Sequence, residues 1–330
     1  MRVVAAPDKF RGTATAAEVA GAVAAAVRAA GGTADEVPMS DGGEGFLAVL
    51  GGANRHLTVT GPLGAPVEAG WRRSGRLAVI EVAAASGLAL VGGAEGNDPV
   101  AASTAGTGEL IAAALDDGAR RILVGHGGSA STDGGLAALK ALFPPARLRG
   151  VELVAAVDVT TPFLDAADVF APQKGATPNQ VALLRRRLER LAQVYRDDHG
   201  VDVTVLPGAG AAGGLAGGLA AVGATITSGF DLVAEELALD EVIEGADLVV
   251  TGEGFVDEAS FQGKVVGGVV DLAAELDVPV LAVAGEVFDG VGDRVTTISL
   301  VERFGRDRAM TDPLTCVTDA VAAALADRGA

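Results

Sequence analysis

Arg121-Ile122-Leu123-Val124, followed by Gly127-Gly128-Ser129-Ala130-Ser131-Thr132-Asp133-Gly134-Gly135, is the stretch on which the fold turns. A short aliphatic run ended by glycines reads as a buried strand. The loop after it is rich in glycine and hydroxyls, and a helix is expected to begin near Gly134. A strand that passes through a tight loop straight into a helix is part of a βαβ unit, and such units build parallel sheets.

The same alternation extends outward in both directions. Val3-Val4-Ala5-Ala6 is a short apolar run ended by Pro7. Thr15-Ala16-Ala17-Glu18 has the capping-box pattern, in which residues one and four cap each other's backbone, and it opens an Ala-rich helix that stops near Gly31. A second strand precedes Pro38. Residues 104–115 read as a helix closed by Gly118. Residues 248–250, 280–283 and 296–300 read as strands with helices between them. Residues 56–90 differ: Leu57-Thr58-Val59-Thr60 and Leu77-Ala78-Val79-Ile80-Glu81-Val82 are separated by Gly and Pro turns, as in antiparallel sheet. The fold class is therefore α/β in two domains. Residues 1–54 and 228–330 form one doubly wound domain, and residues 55–227 form an inserted mixed α/β domain. Thr177-Pro178-Asn179-Gln180 starts a further helix, with Val181, Leu184, Leu188, Leu191 and Tyr195 on one face. Its arginine run reads as a solvated face.

Composition limits what the chain can bind. The 330 residues are 49% hydrophobic but only 4% aromatic, so the core is built from small aliphatic side chains. A net charge of -18 disfavours nucleic acid and anionic membranes as partners, and a phosphate site must concentrate its own cations. Of 25 basic residues only Lys9, Lys140, Lys174 and Lys264 are lysines, and all but Lys140 lie in short glycine-containing segments. Compact ammonium groups at such places point to phosphate contacts. The single Cys316 excludes a disulfide framework or a cysteine-built zinc site. The first residues read as a strand too short for a signal peptide's apolar region, and stretch 207–227 is too weakly hydrophobic for a membrane span, so the expected compartment is the cytoplasm.

Three glycine loops carry acid: Ser40-Asp41-Gly42-Gly43-Glu44-Gly45, the loop from Gly127 to Gly135, and Thr251-Gly252-Glu253-Gly254-Phe255-Val256-Asp257. Backbone amides at a strand-to-helix turn bind phosphate oxygens, and carboxylates bind Mg²⁺ or accept a proton. Together they point to phosphoryl chemistry on a small molecule. Gly127, Gly128, Ser129, Ser131 and Asp133 are candidates for the nucleotide. Ser131 or Asp133 could equally be the cap of the next helix. Asp8, Asp41, Asp158 and Asp257 are base or metal candidates. His126 at the strand end reads as a packed residue. No Walker or protein-kinase motif is present, and no Gly-x-Gly-x-x-Gly opens the first βα unit as a dinucleotide-binding oxidoreductase requires.

At these residues the chain resembles the bacterial type-1 glycerate kinase family. The resemblance runs through Ala6-Pro7-Asp8-Lys9-Phe10-Arg11-Gly12, Pro38-Met39-Ser40-Asp41-Gly42-Gly43-Glu44-Gly45, Ala83-Ala84-Ala85-Ser86-Gly87-Leu88 and Gly106-Thr107-Gly108-Glu109-Leu110-Ile111. It continues through the Gly127 loop, Pro172-Gln173-Lys174-Gly175-Ala176, Pro207-Gly208-Ala209-Gly210-Ala211-Ala212-Gly213-Gly214 and Thr251-Gly252-Glu253-Gly254. It implies a Rossmann- or flavodoxin-like domain plus the inserted domain, with the site in the interdomain cleft. It also implies ATP- and Mg²⁺-dependent phosphorylation of D-glycerate, usually to 2-phosphoglycerate, by a monomer or homodimer. Asp8, Asp41 and Asp257 are then expected as catalytic residues, and Lys9, Arg11, Asp158, Lys174 and Glu253 as contacts to the hydroxy acid. Thr107 joins the loop residues on ATP, and Asp257 and Asp133 are expected on Mg²⁺. The pattern departs from the family at Lys9, Thr132 and Phe255, where Ser, Asn and Arg are usual, and in a shortened segment between Phe143 and Val151. Those departures leave open a paralogue that binds ligand without transferring phosphate.

Overall fold

The computed structural model describes residues 1–10, 12–288 and 294–329. It divides into two compact units, Met1–Asp41 with Phe230–Ala330, and Gly42–Gly229.

The first unit is built on a five-stranded parallel sheet. From one edge the strands are Thr296–Ser299, Val280–Ala284, Leu248–Thr251, Arg2–Ala5 and Thr33–Glu36. Val3, Val4, Leu248, Val249 and Val250 are fully buried. Covering on both faces is why these strands read as continuous aliphatic runs and not as alternating ones. Helix Ala16–Ala29 starts at Thr15, whose side chain and that of Glu18 cap each other's backbone. It buries Val19, Val23 and Val27 in one cluster with Val317 and Val321 of helix Pro313–Gly329. Numbered within the unit, the strand order is 2-1-3-4-5. That is a doubly wound order, and its switch point lies between Arg2–Ala5 and Leu248–Thr251, the place where such sheets bind ligands. Asp8 follows the first of these strands and Glu253 the second. A short parallel pair, Phe255–Val256 with Glu286–Val287, lies just beyond.

The second unit has a six-stranded mixed sheet whose strands neighbour one another in chain order. Arg55–Thr60, Pro66–Ser74 and Leu77–Glu81 pair antiparallel. Leu77–Glu81, Arg121–Gly125, Glu152–Val157 and Thr225–Ser228 pair parallel. Ile80, Leu110, Ile111, Ile122 and Leu215 share one core cluster. A second cluster holds Phe163 with Leu184, Leu188, Leu191 and Tyr195 of helix Pro178–His199. That helix is capped reciprocally by Thr177 and Gln180 and ends at Gly200 in the left-handed conformation. Its Tyr195 hydroxyl donates to the Gly134 carbonyl at 2.8 Å, fastening it to the end of the glycine loop. Within 207–227 the helix Ala211–Ala221 is kinked by positive φ at Ala212, Gly213 and Gly214. Two expected strands stop one residue early, because Val82 and Leu300 open the helices Val82–Ser86 and Leu300–Phe304. Among the described residues, no helix is long and apolar enough to cross a membrane.

The tightest backbone approach in the first unit sits at the site-bearing loop. A Cβ on Gly252 would lie 1.8 Å from the Val283 carbonyl oxygen. No side chain can rotate away from a clash with main chain, so the strand end would have to move. Gly252→Ala is expected to lower stability by about 3 kcal/mol, the upper range for overpacking. A thermal or urea melt reads this directly, and an unchanged midpoint refutes the packing described.

Candidate functional site

In the first unit the switch point gathers acids around lysine. The Asp8 amide donates to the Gly252 carbonyl at 2.8 Å, which ties the loops of the two adjacent strands together. Asp8 Oδ1 accepts from the Lys9 amide at 2.6 Å and lies 3.4 Å from Lys9 Nζ. The same ammonium stands 3.8 Å from Asp41 Oδ1. Asp8 is only 4% exposed. Burial, and then the charge of Asp41, push its carboxyl up to about 7, while the Lys9 ammonium and amide pull it down. Glu253 is also raised, first by burial and less by the charges of Asp41 and Asp257, against the Ser260 hydroxyl and Lys264. Its Oε1 is buried with no hydrogen-bond partner among the described residues. Asp257 caps the turn Glu258–Phe261, accepting from the Ser260 amide at 3.0 Å. The result is a cluster of four carboxylates tempered by Lys9 and Lys264. It can take a proton near neutrality and attract a cation.

In the second unit, strand Arg121–Gly125 delivers the glycine loop. A Cβ on Gly127 would stand 2.5 Å from the Gly43 Cα and 2.7 Å from the Glu44 amide nitrogen, so two glycine loops stack main chain on main chain there. The Leu88 amide donates to Gly128 O at 2.8 Å, and the Ala130 amide to Ser86 O at 2.9 Å. Lys174 is 4% exposed. Its ammonium donates to Ser129 Oγ at 2.8 Å and to the Ser131 carbonyl at 2.6 Å. Burial lowers it to about 7, and the charge of Asp133 opposes this. Asn97 Nδ2 donates to the carbonyls of Ala130 and Lys174 at 3.1 and 2.9 Å. Thr107 and Ser86 join hydroxyls at 2.8 Å below the loop. Ser131 Oγ and Thr132 Oγ1 are buried without hydrogen-bond partners among the described residues. Unpaired buried hydroxyls beside a caged loop fit a ligand rich in hydrogen-bond acceptors.

The expected site residues thus fall into two groups. Asp8, Lys9, Asp41, Glu253 and Asp257 meet in the first unit, and Gly127, Gly128, Ser129, Ser131, Thr107 and Lys174 meet in the second. Asp158 follows strand Glu152–Val157 and is half-buried. Arg11 lies outside the described residues. Asp133, expected on a metal, is held by protein donors. It accepts from the Thr104 amide at 3.0 Å, the Thr104 hydroxyl at 2.9 Å and the Gly135 amide at 3.1 Å. It therefore joins the starts of helices Ala105–Asp116 and Leu136–Ala141, and burial raises its pKa against those bonds. Among the described residues no three His, Cys, Asp or Glu side chains form a metal cage. His126 is a packed group: Nδ1 lies 2.8 Å from Val124 O, and burial lowers it to about 4, so the ring is neutral. Phe255, in the family's arginine position, is 48% exposed and faces Phe288 with ring centres 6.2 Å apart. Sequence reasoning missed Asn97 and Thr104 as supports of the loop. Their partners lie 33 and 29 residues away, and no local spacing marks them.

Comparison with known proteins shows the family of the chain. The sequence model of the Glycerate kinase family matches residues 3–143 and 144–323. The chain is 40% identical to Glycerate 2-kinase of Escherichia coli K12 over 88% of its own length and 87% of the relative's. It is 38% identical to Glycerate kinase of Bacillus subtilis 168 over 87% and 85%. A crystal structure of a candidate glycerate kinase 2 from Salmonella typhimurium LT2 superposes with a TM-score of 0.81 at 34% identity, covering 99% of both chains. With a family match over nearly all its length and a like fold throughout, the chain belongs to the glycerate kinase family.

Proposed function

We propose that this chain is a phosphotransferase that uses ATP and Mg²⁺ to phosphorylate D-glycerate, giving 2-phosphoglycerate, or a closely related small hydroxy acid. The observation that carries the reading is the buried Asp8 beside Lys9 at the switch point of the first sheet. A carboxyl raised to about 7 is poised to take the proton of an acceptor hydroxyl at physiological pH. Asp41 sustains that raised pKa. Lys9, with Arg11, supplies positive charge for the acid's carboxylate, and Glu253 accepts from its hydroxyls. The amides of Gly127 and Gly128 and the hydroxyls of Ser129, Ser131 and Thr107 serve the nucleotide's phosphates. Lys174 keeps that loop in shape from beneath.

The residues present fit Mg²⁺ in the way kinases usually hold it. Mg²⁺ keeps several waters and takes one or two carboxylates plus substrate phosphates, so a cage of protein acids is not required. Asp257 and the unpartnered Glu253 Oε1 would supply the carboxylates. The ion, when bound, neutralises charge on the phosphates during transfer.

The direct experiment is a coupled ADP-release assay with D-glycerate and MgATP, with the product read by phosphorus NMR. Saturable turnover and a 2-phosphorylated product are expected, and no turnover by folded protein overturns the reading. Asp8→Asn is expected to lower kcat by about 10²–10⁴-fold, the usual worth of a general base. In the wild type kcat/KM is expected to fall as pH drops through about 7. A stability measurement tests the electrostatics separately. The folded pKa of Asp8 stands above its unfolded value of 3.8, so the folded state binds the extra proton between 3.8 and about 7. The contribution of Asp8 is full below that window and is lost as pH rises through it. The melting temperature of Asp8→Asn minus that of wild type is therefore expected to increase across this range, and a flat difference refutes the assigned burial.

A further inference from the structure

A cavity of about 580 Å³ opens in the second unit between helix Pro178–His199 and the segments around Val100 and Leu136. Ala102, Leu136, Leu183 and Leu191 make it largely apolar. Thr132 and Asp133, the end of the glycine loop, form part of its wall. Arg186, Arg187 and Arg190 also line it. Its size is that of ordinary sites for small organic ligands.

The arginine run is exposed at Arg186, Arg187 and Arg190, as a solvated face should be, but its charges are not equally matched. Arg185 is matched by Asp165, Asp168 and Glu189. The three arginines on the cavity have no carboxylate partner among the described residues. Arg187 donates to the Val100 carbonyl at 2.8 Å, and Arg190 to Gln193 Oε1 at 3.3 Å. In a chain of net charge -18, three unneutralised guanidinium groups around an apolar hollow mark a place for an anion. A guanidinium also stacks on flat aromatic rings. Thr132 adds a buried hydroxyl oxygen without a partner among the described residues, available to a ring nitrogen or a ribose hydroxyl. An apolar slot, stacking cations, a spare hydrogen-bonding group and a shared wall with the phosphate loop together describe a nucleoside bearing phosphates.

We propose that this cavity is the nucleoside subsite, holding the base and ribose of the nucleotide whose phosphates the glycine loop takes. The inference rests on the kinase reading above. It assigns Thr132, Leu136, Leu183, Arg186 and Arg190 to recognition of ATP and gives them no part in binding the hydroxy acid.

Calorimetry on the full chain with the non-hydrolysable analogue AMP-PNP and with inorganic tripolyphosphate tests it, alongside steady-state kinetics. Two variants alter exposed or half-exposed positions: Leu136→Trp, which fills the cavity, and Arg186→Glu with Arg190→Glu, which reverses its charge. Each is expected to raise the Kd for AMP-PNP and the KM for ATP at least tenfold, with the KM for D-glycerate and the melting temperature unchanged. For Leu136→Trp, tripolyphosphate is expected to bind as it does to wild type, because it has no nucleoside to exclude. If wild type turns over glycerate and both variants bind AMP-PNP normally, the subsite is overturned and the kinase reading stands. If wild type turns over no hydroxy acid but binds AMP-PNP in a way both variants lose, the subsite stands and the assigned reaction falls. If Leu136→Trp weakens tripolyphosphate as much as AMP-PNP, the cavity is not a nucleoside site. If charge reversal abolishes a dimer seen by sedimentation and leaves nucleotide affinity intact, the cavity is a self-association face and the proposal fails.

Discussion

Main chain lies directly against main chain at both candidate sites, and most of what surrounds them follows from that constraint. At Gly252 one strand end touches the carbonyl of its neighbour, and at Gly127 one loop rests on another. Such contacts leave no freedom for a side chain to adjust, so the positions of Asp8, Glu253 and Ser129 are inherited from the two sheets. The interior strands supply that rigidity, because Arg2–Ala5, Leu248–Thr251, Arg121–Gly125 and Glu152–Val157 are largely buried among small aliphatic side chains. A core poor in aromatics suits this, since Ala and Gly let layers approach closely enough for backbones to meet.

The two clusters differ in their electrostatics. In the first unit several acids surround Lys9 and Lys264, and burial, then mutual repulsion, pushes Asp8 up to about 7 and raises Glu253. In the second unit a buried lysine is held by a hydroxyl and a carbonyl, and its charge is weakened by burial. A fully charged lysine facing solvent would bind phosphate indiscriminately. One placed beneath the loop orders the loop's own groups, and a ligand gains from that order without having to create it. Asp133 plays a similar supporting part by joining two helix starts.

How much of this the sequence disclosed depends on the range of the interaction. Strands at 3–5, 121–124 and 248–250 were legible because burial on both faces leaves an uninterrupted aliphatic run. The caps at Thr15 and Thr177 were legible because their partners are three residues away. Lys174 could be noticed as an unusual lysine in an arginine-rich chain, but nothing local shows that it reaches Ser129, 45 residues earlier. Asp133 was ambiguous for the same reason, because Thr104, which occupies its carboxylate, belongs to another helix. The arginines from 185 to 190 look equivalent in one dimension. Only the folded positions of Asp165, Asp168 and the cavity separate the neutralised one from the rest.

The first unit's discontinuity in sequence also sets a schedule. Strand Arg2–Ala5 is an interior strand, with Thr33–Glu36 on one side and Leu248–Thr251 on the other. During synthesis its second neighbour is made only after residues 42–229 have followed. At roughly 5–20 residues per second that is a delay on the order of 10–40 s. All six strands of the other sheet are complete within that interval. The glycine-loop unit can therefore mature on the ribosome while Val3 and Val4 still show an open, aliphatic edge, the kind of surface that other chains and holding chaperones find first. A transcript cut short after residue 229 would encode the whole glycine-loop sheet and leave Asp8 beside a strand with one neighbour.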